Sequence, residues 1–170
     1  ELALTFIRRF GYGRALDLAV RFNFSLVAQC LMDDIGCTPG NAGFLVAASL
    51  GHEETVRLLL SYDHVNPATK ASLVIRSASK NGHANVVSLL LADGRIVPDD
   101  AITAATENGH VEVVRVLLQD PRVDPAETSN LPLRLASTLG HDEIVSLLLR
   151  DARVNPSDRD EAAIRAACYS

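Results

Sequence analysis

Lysine is almost missing from this chain: Lys70 and Lys80 are the only two in 170 residues, and the formal net charge is −5. Nonspecific binding to phosphate backbones needs clustered Lys and Arg, so nucleic acid is not an expected partner. Long hydrophobic runs are missing too. Apolar residues make up 48% of the sequence, yet stretches such as Val86 to Ala92 stop well short of the roughly 20 residues a bilayer needs, so no membrane insertion is expected. Nothing at the start reads as a signal peptide. Cys30, Cys37 and Cys168 have no metal-ligand spacing. Reduced thiols are the simplest account and lean toward a cytoplasmic protein, with a Cys30–Cys37 disulfide across the turn at Gly36 as the alternative. There is no glycine-rich phosphate loop and no legible nucleophile-base-acid arrangement. No enzyme activity, cofactor or metal is therefore expected.

What the sequence has is a period. Gly-His occurs at Gly51-His52, Gly82-His83, Gly109-His110 and Gly140-His141, each time ahead of a leucine-rich run that closes on a proline. The closing prolines, Pro39, Pro67, Pro98, Pro125 and Pro156, are spaced 28, 31, 27 and 31 residues apart. A period near 30 residues signals stacked supersecondary units, with the length variation in connections. Before each Gly-His lies an alanine-rich segment, such as Phe44 to Leu50, with small pairs at Ala47-Ala48 and Ala104-Ala105. After it comes a segment such as Glu53 to Ser61. Val56, Leu59 and Leu60, like Val113, Val114, Leu117 and Leu118, recur at steps of three and four, which predicts an amphipathic helix and not a strand. Glycine can end the first helix in the left-handed conformation. Glu53, Glu54, Glu112, Asp142 and Glu143 suit the positive end of the second helix. Neither helix can bury its apolar face alone, so the stack must supply the core.

The pattern x-Ala-Ala-x-x-Gly-His-x-Glu-Val-Val-x-x-Leu-Leu is nearly complete at 104–118 and recognisable at 46–60, 77–91 and 135–149. In this it resembles the ankyrin repeat family. The resemblance implies an all-α fold, an ankyrin-type helical repeat solenoid of paired antiparallel helices. It also implies one domain over 1–170. A partial or capping unit would occupy 1–14 and a degenerate repeat 15–40, followed by repeats at 41–68, 69–98, 99–126 and 127–157 and a partial repeat at 158–170. In the degenerate unit Leu18-Ala19 stands for the alanine pair, Val27 and Leu31 for the second-helix stripe, and Phe22-Asn23 for Gly-His.

Departures concern the hairpin finger of the family. Its Thr-Pro-Leu-His opening is replaced by Ala42-Gly43-Phe44-Leu45, Leu73-Val74-Ile75-Arg76, Ala101-Ile102-Thr103 and Leu131-Pro132-Leu133-Arg134. Four residues separate Val97 from Ile102, and nine separate Val123 from Leu133, so irregular and shortened fingers are expected. Glu1 to Phe10 reads as a helix of an earlier unit or a cap, and Ala162 to Tyr169 as the start of a further first helix. A fragment of a longer protein is the expectation, with capping units as the alternative.

The polar residues that recur have structural readings. One Zn²⁺ needs its ligands at about 2.0 to 2.1 Å, whereas equivalent histidines of a stack stand a whole unit apart, so His52, His83, His110 and His141 are expected to bond the backbone of neighbouring units. Arg95, Arg122 and Arg153 are expected to pair with Asp93, Asp120 and Asp151. Asp99-Asp100 reads as an N-cap for a helix starting at Ala101, and Leu118 as a buried leucine.

The two residues before each repeat glycine differ between units while core letters repeat. These are Ser49, Leu50, Lys80, Asn81, Glu107, Asn108, Thr138 and Leu139. In ankyrin-like proteins such positions line the concave, partner-binding face. The expected function is a non-enzymatic, monomeric scaffold or adaptor for another protein. The alternative is the targeting segment of a larger enzyme such as a kinase or ubiquitin ligase.

Overall fold

The computed structural model describes residues 5, 11–35, 41–62 and 71–155. Several expectations lie outside them: those for Glu1 to Phe10 apart from Thr5, for Cys37 and its pairing with Cys30, for Pro39, Pro67 and Pro156, and for Ala162 to Tyr169 with Cys168.

Among the described residues all regular structure is helical: α1 (Tyr12–Arg21), α2 (Ser25–Ile35), α3 (Asn41–Ser49), α4 (Glu53–Leu60), α5 (Ala71–Lys80), α6 (Ala84–Ala92), α7 (Ala101–Glu107), α8 (Val111–Leu118), α9 (Glu127–Leu139) and α10 (Asp142–Arg150). They form two layers. The first helices α1, α3, α5, α7 and α9 pack side by side, the second helices α2, α4, α6, α8 and α10 do likewise, and each first helix packs on the second helix that follows it. Every unit thus touches only its neighbours, which makes stability a sum over interfaces.

The side chains explain the layers. Ala19, Ala47, Ala78, Ala105 and Ala136 are all fully buried, where a methyl group lets neighbouring first helices approach. The second small position holds Ala48, Ser79, Thr106 and Ser137, so the pair in the fourth unit is Ala105-Thr106, one residue later than Ala104-Ala105. Val56, Leu59, Val86, Val87, Leu90, Val113, Val114, Leu117, Ile144 and Leu148 supply the other half of the core. Leu118 is only half-buried. The deeper of that pair is Leu117, which is fully buried, while Leu118 packs against the margin of the core.

No strand occurs among the described residues, and the connections are short. Asp100 stands at the N-cap of α7 but makes no side-chain cap; its φ of 56° places it in the left-handed region. Asp100 instead faces Arg76 at 4.0 Å. In α9, Thr128, Ser129 and Asn130 form a left-handed turn. The right-handed helix begins after it, so Pro132 falls in a first turn where its missing N–H costs nothing.

Two polar ladders tie the units together. Nε2 of His52, His83 and His110 donates to the carbonyls of Arg21, Ser49 and Lys80, at 3.0, 2.9 and 2.9 Å. The carbonyl can only accept, so these bonds select the Nε2–H tautomer. The arginine pairs occur as expected, at 2.6 Å for Arg95–Asp93 and Arg122–Asp120 and 2.7 Å for Arg153–Asp151. Each arginine also reaches the preceding second helix, at the carbonyls of Leu60, Leu91 and Leu118. A cation at the negative end of a helix is favourable. The arginine hydrogen bonds hold all three carboxyls below the usual carboxylate range despite partial burial. In the second unit Tyr62 takes the aspartate's place and donates its hydroxyl to Asp33, which pushes the phenol up to about 12.

Candidate functional site

Each first helix ends in the same way. A residue at positive φ reverses the chain: Gly51 at 74°, Gly82 at 78°, Gly109 at 71° and Gly140 at 72°. The residue after it then donates its N–H to the carbonyl of the buried alanine, as His52 does to Ala47 and His83 to Ala78. The two residues before the glycine stand at the exposed C-terminal end of the helix. Lys80, Asn81, Glu107, Asn108, Thr138, and Leu50 and Leu139 (both 48% exposed) face solvent, while Ser49 is half-buried.

Four of these eight side chains also serve their own helix. Asn81 and Asn108 donate to the carbonyls of Ser77 and Ala104, Thr138 to that of Arg134, and Ser49 to that of Val46. Such bonds add a side-chain donor to carbonyls in the last turns of the helix, and those of Val46 and Ser77 also accept from the N–H of Leu50 and Asn81. Leu50, Lys80, Glu107 and Leu139 have no such duty.

The first unit obeys the same geometry with different letters. Asn23 takes the left-handed conformation at φ 57°, and Phe24 donates its N–H to the Ala19 carbonyl. The pair in register with Gly-His is therefore Asn23-Phe24 and not Phe22-Asn23, and the buried pair is Ala19-Val20 and not Leu18-Ala19. The shift places Phe22, 59% exposed, in register with Leu50 and Leu139. Sequence reasoning missed it; asparagine's tolerance of positive φ was the signal.

Further along the first-helix layer a shallow groove of about 290 Å³ runs between α3 and α5, lined by Leu45, Leu73, Arg76, Ser77 and Lys80. Of the eight expected residues it contains only Lys80. Leu73 is 46% exposed on a helix whose other face, Val74, Ile75 and Ala78, is buried. Beyond Arg76, which faces Asp100 at 4.0 Å, Glu127 accepts a hydrogen bond from Thr103 and feels the negative charges of Asp100, Asp124 and Asp99. Burial first, and then these like charges, hold Glu127 above the usual carboxylate range.

A family model of ankyrin repeats, in three copies, matches residues 77–160. Over that stretch the chain carries ankyrin repeats. The units formed by α1 to α4 precede the matched stretch, yet they repeat its geometry down to the His52–Arg21 bond. A comparison with curated proteins finds no match. Ankyrin repeats are generally protein–protein interaction modules and are typically not catalytic. No helix among the described residues is long and apolar enough to cross a membrane.

Proposed function

We propose that the chain is a non-enzymatic scaffold or adaptor that binds a partner protein along the concave face made by its first helices. Ser49, Leu50, Lys80, Asn81, Glu107, Asn108, Thr138 and Leu139 are the proposed contacts, joined by Phe22. The observation that carries this reading is a contrast inside one chain. Buried positions repeat from unit to unit, because packing constrains them. The exposed pair before each turn instead runs through serine, leucine, lysine, asparagine, glutamate and threonine. A surface freed from packing can encode specificity.

The test is affinity capture from lysate of the source cells, comparing the chain with a variant carrying Leu50→Glu, Lys80→Glu, Glu107→Lys and Leu139→Glu, after circular dichroism has established that the variant is folded. A protein held by the first and lost by the second supports the reading. Retention by both, or by neither, counts against it.

A further inference from the structure

We infer that the groove between α3 and α5 receives a segment of the partner protein whose charge changes sign: an apolar side chain beside a carboxylate, followed by a basic residue. This inference rests on the protein-binding reading above and names the chemistry recognised.

The groove has two parts. Leu45 and Leu73 give it apolar walls, and Leu73 is exposed where a polar residue would serve folding equally well. Arg76 and Lys80 add two cations one helical turn apart on α5. Their charge is available, unlike that of the arginine ladder. Arg95, Arg122 and Arg153 are closed onto aspartates and helix-end carbonyls. Among the described residues Lys80 has no carboxylate within ion-pair distance. Arg76 has Asp100 as its one counter-ion among the described residues, at 4.0 Å with both side chains more than half exposed. Such a pair is weak and can be exchanged for a partner's carboxylate.

The far side of Arg76 sets the second requirement. Asp100 stands 4.0 Å from Arg76, beside Asp99 in the chain, and the charges of Asp99, Asp100 and Asp124 act on Glu127, so a long acidic tract would be repelled after its first carboxylates. The same four groups disfavour phosphate, which leaves a protein segment and not a nucleic acid as the occupant. The complementary ligand is acidic over Lys80 and Arg76 and basic over the carboxylates, with a leucine-like side chain between Leu45 and Leu73.

A random peptide library displayed on phage, selected against the intact chain, tests this. Enriched sequences are then synthesised and titrated against the chain, against Arg76→Glu/Lys80→Glu and against Leu50→Glu/Leu139→Glu, with circular dichroism to establish folding. The expected enrichment is an apolar residue next to Asp or Glu. Affinity should fall about tenfold or more in Arg76→Glu/Lys80→Glu, the order set by one close charge pair, and reselection on that variant should favour Lys or Arg at the same place. Enriched peptides without an acidic preference, or indifferent to Arg76→Glu/Lys80→Glu, overturn the inference. If those peptides are lost on Leu50→Glu/Leu139→Glu, the protein-binding face survives and only the groove chemistry falls. Indifference to both variants, or no enrichment at all, overturns both.

Discussion

The imidazole of His83 lies across Gly51 of the preceding unit: a Cβ built on Gly51 would stand 2.6 Å from Nδ1 of His83. The same closeness recurs at 2.8 Å between Gly82 and His110, and at 3.0 Å between Gly109 and Cε1 of His141. Glycine and histidine are neighbours in sequence, but each meets its counterpart in another unit. The glycine has two reasons to be there, the positive φ and the space for the next histidine, and the second couples the repeats.

Gly51→Ala should therefore cost more than Gly140→Ala. Both meet the left-handed penalty of about 1 to 2 kcal/mol, but nothing lies within 4 Å of a Cβ at Gly140. Adding His83→Ala to Gly51→Ala should recover the steric part of the loss. Urea melts of the two single variants and the double variant measure this coupling, and strictly additive effects would contradict it.

Leu117→Ala should destabilise the stack by about 2 to 5 kcal/mol, as for a leucine deleted from a packed core. Leu118→Ala should cost clearly less, since half its surface environment is already open. Denaturant midpoints compare the two directly. Equal losses would mean that the two second-helix leucines are covered alike.

Arg122→Ala removes the ion pair to Asp120 and the bonds to the Ile96 and Leu91 carbonyls. A loss of about 1 to 2 kcal/mol is expected for charge-assisted bonds discounted for partial exposure. The carboxyl of Asp120 is held low in the folded state, so its contribution is complete above the ordinary aspartate value near 3.9 and disappears as pH falls through the folded value. Thermal melts from pH 7 down to pH 2 should show the gap between wild type and Arg122→Ala narrowing below about pH 4, to the part due to the carbonyl bonds, which do not titrate.

Glu127→Gln should act in the opposite sense. Its carboxyl is raised, so the folded state prefers the protonated form, and the cost of ionisation is fully present once pH exceeds the folded value. Glutamine can still accept from Thr103 and carries no charge toward Asp99, Asp100 and Asp124. The variant should match wild type at pH 4 and be the more stable at pH 7, as read by thermal melts. Lower stability at pH 7 would count against this electrostatic account.

Legibility followed the range of the forces involved. The pairing of Arg122 with Asp120, two residues away, could be read from sequence, whereas its carbonyl acceptors lie 26 and 31 residues back and carry no side-chain letter. The capping role expected of Asp100 failed because the residue is left-handed, at φ 56°, and not in the extended conformation from which an N-cap side chain reaches back to the helix. On the candidate face, seven of the eight expected residues are exposed and Ser49 is half-buried. Phe22 escaped notice because asparagine stands where the other units have glycine, and Leu45, Leu73 and Arg76 because a groove between helices is not written in either helix alone.

By itself the sequence determined the helices, their period and the order of units, since a three-to-four apolar spacing and a turn glycine act within one helix or one link. Only the tertiary structure decided which histidine fills the space above which glycine, that Leu117 is covered more deeply than Leu118, and that Lys80 and Arg76 share a groove with two leucines. Those relations arise from stacking one unit on the next, where residues about 30 positions apart become neighbours and solvent is excluded unevenly.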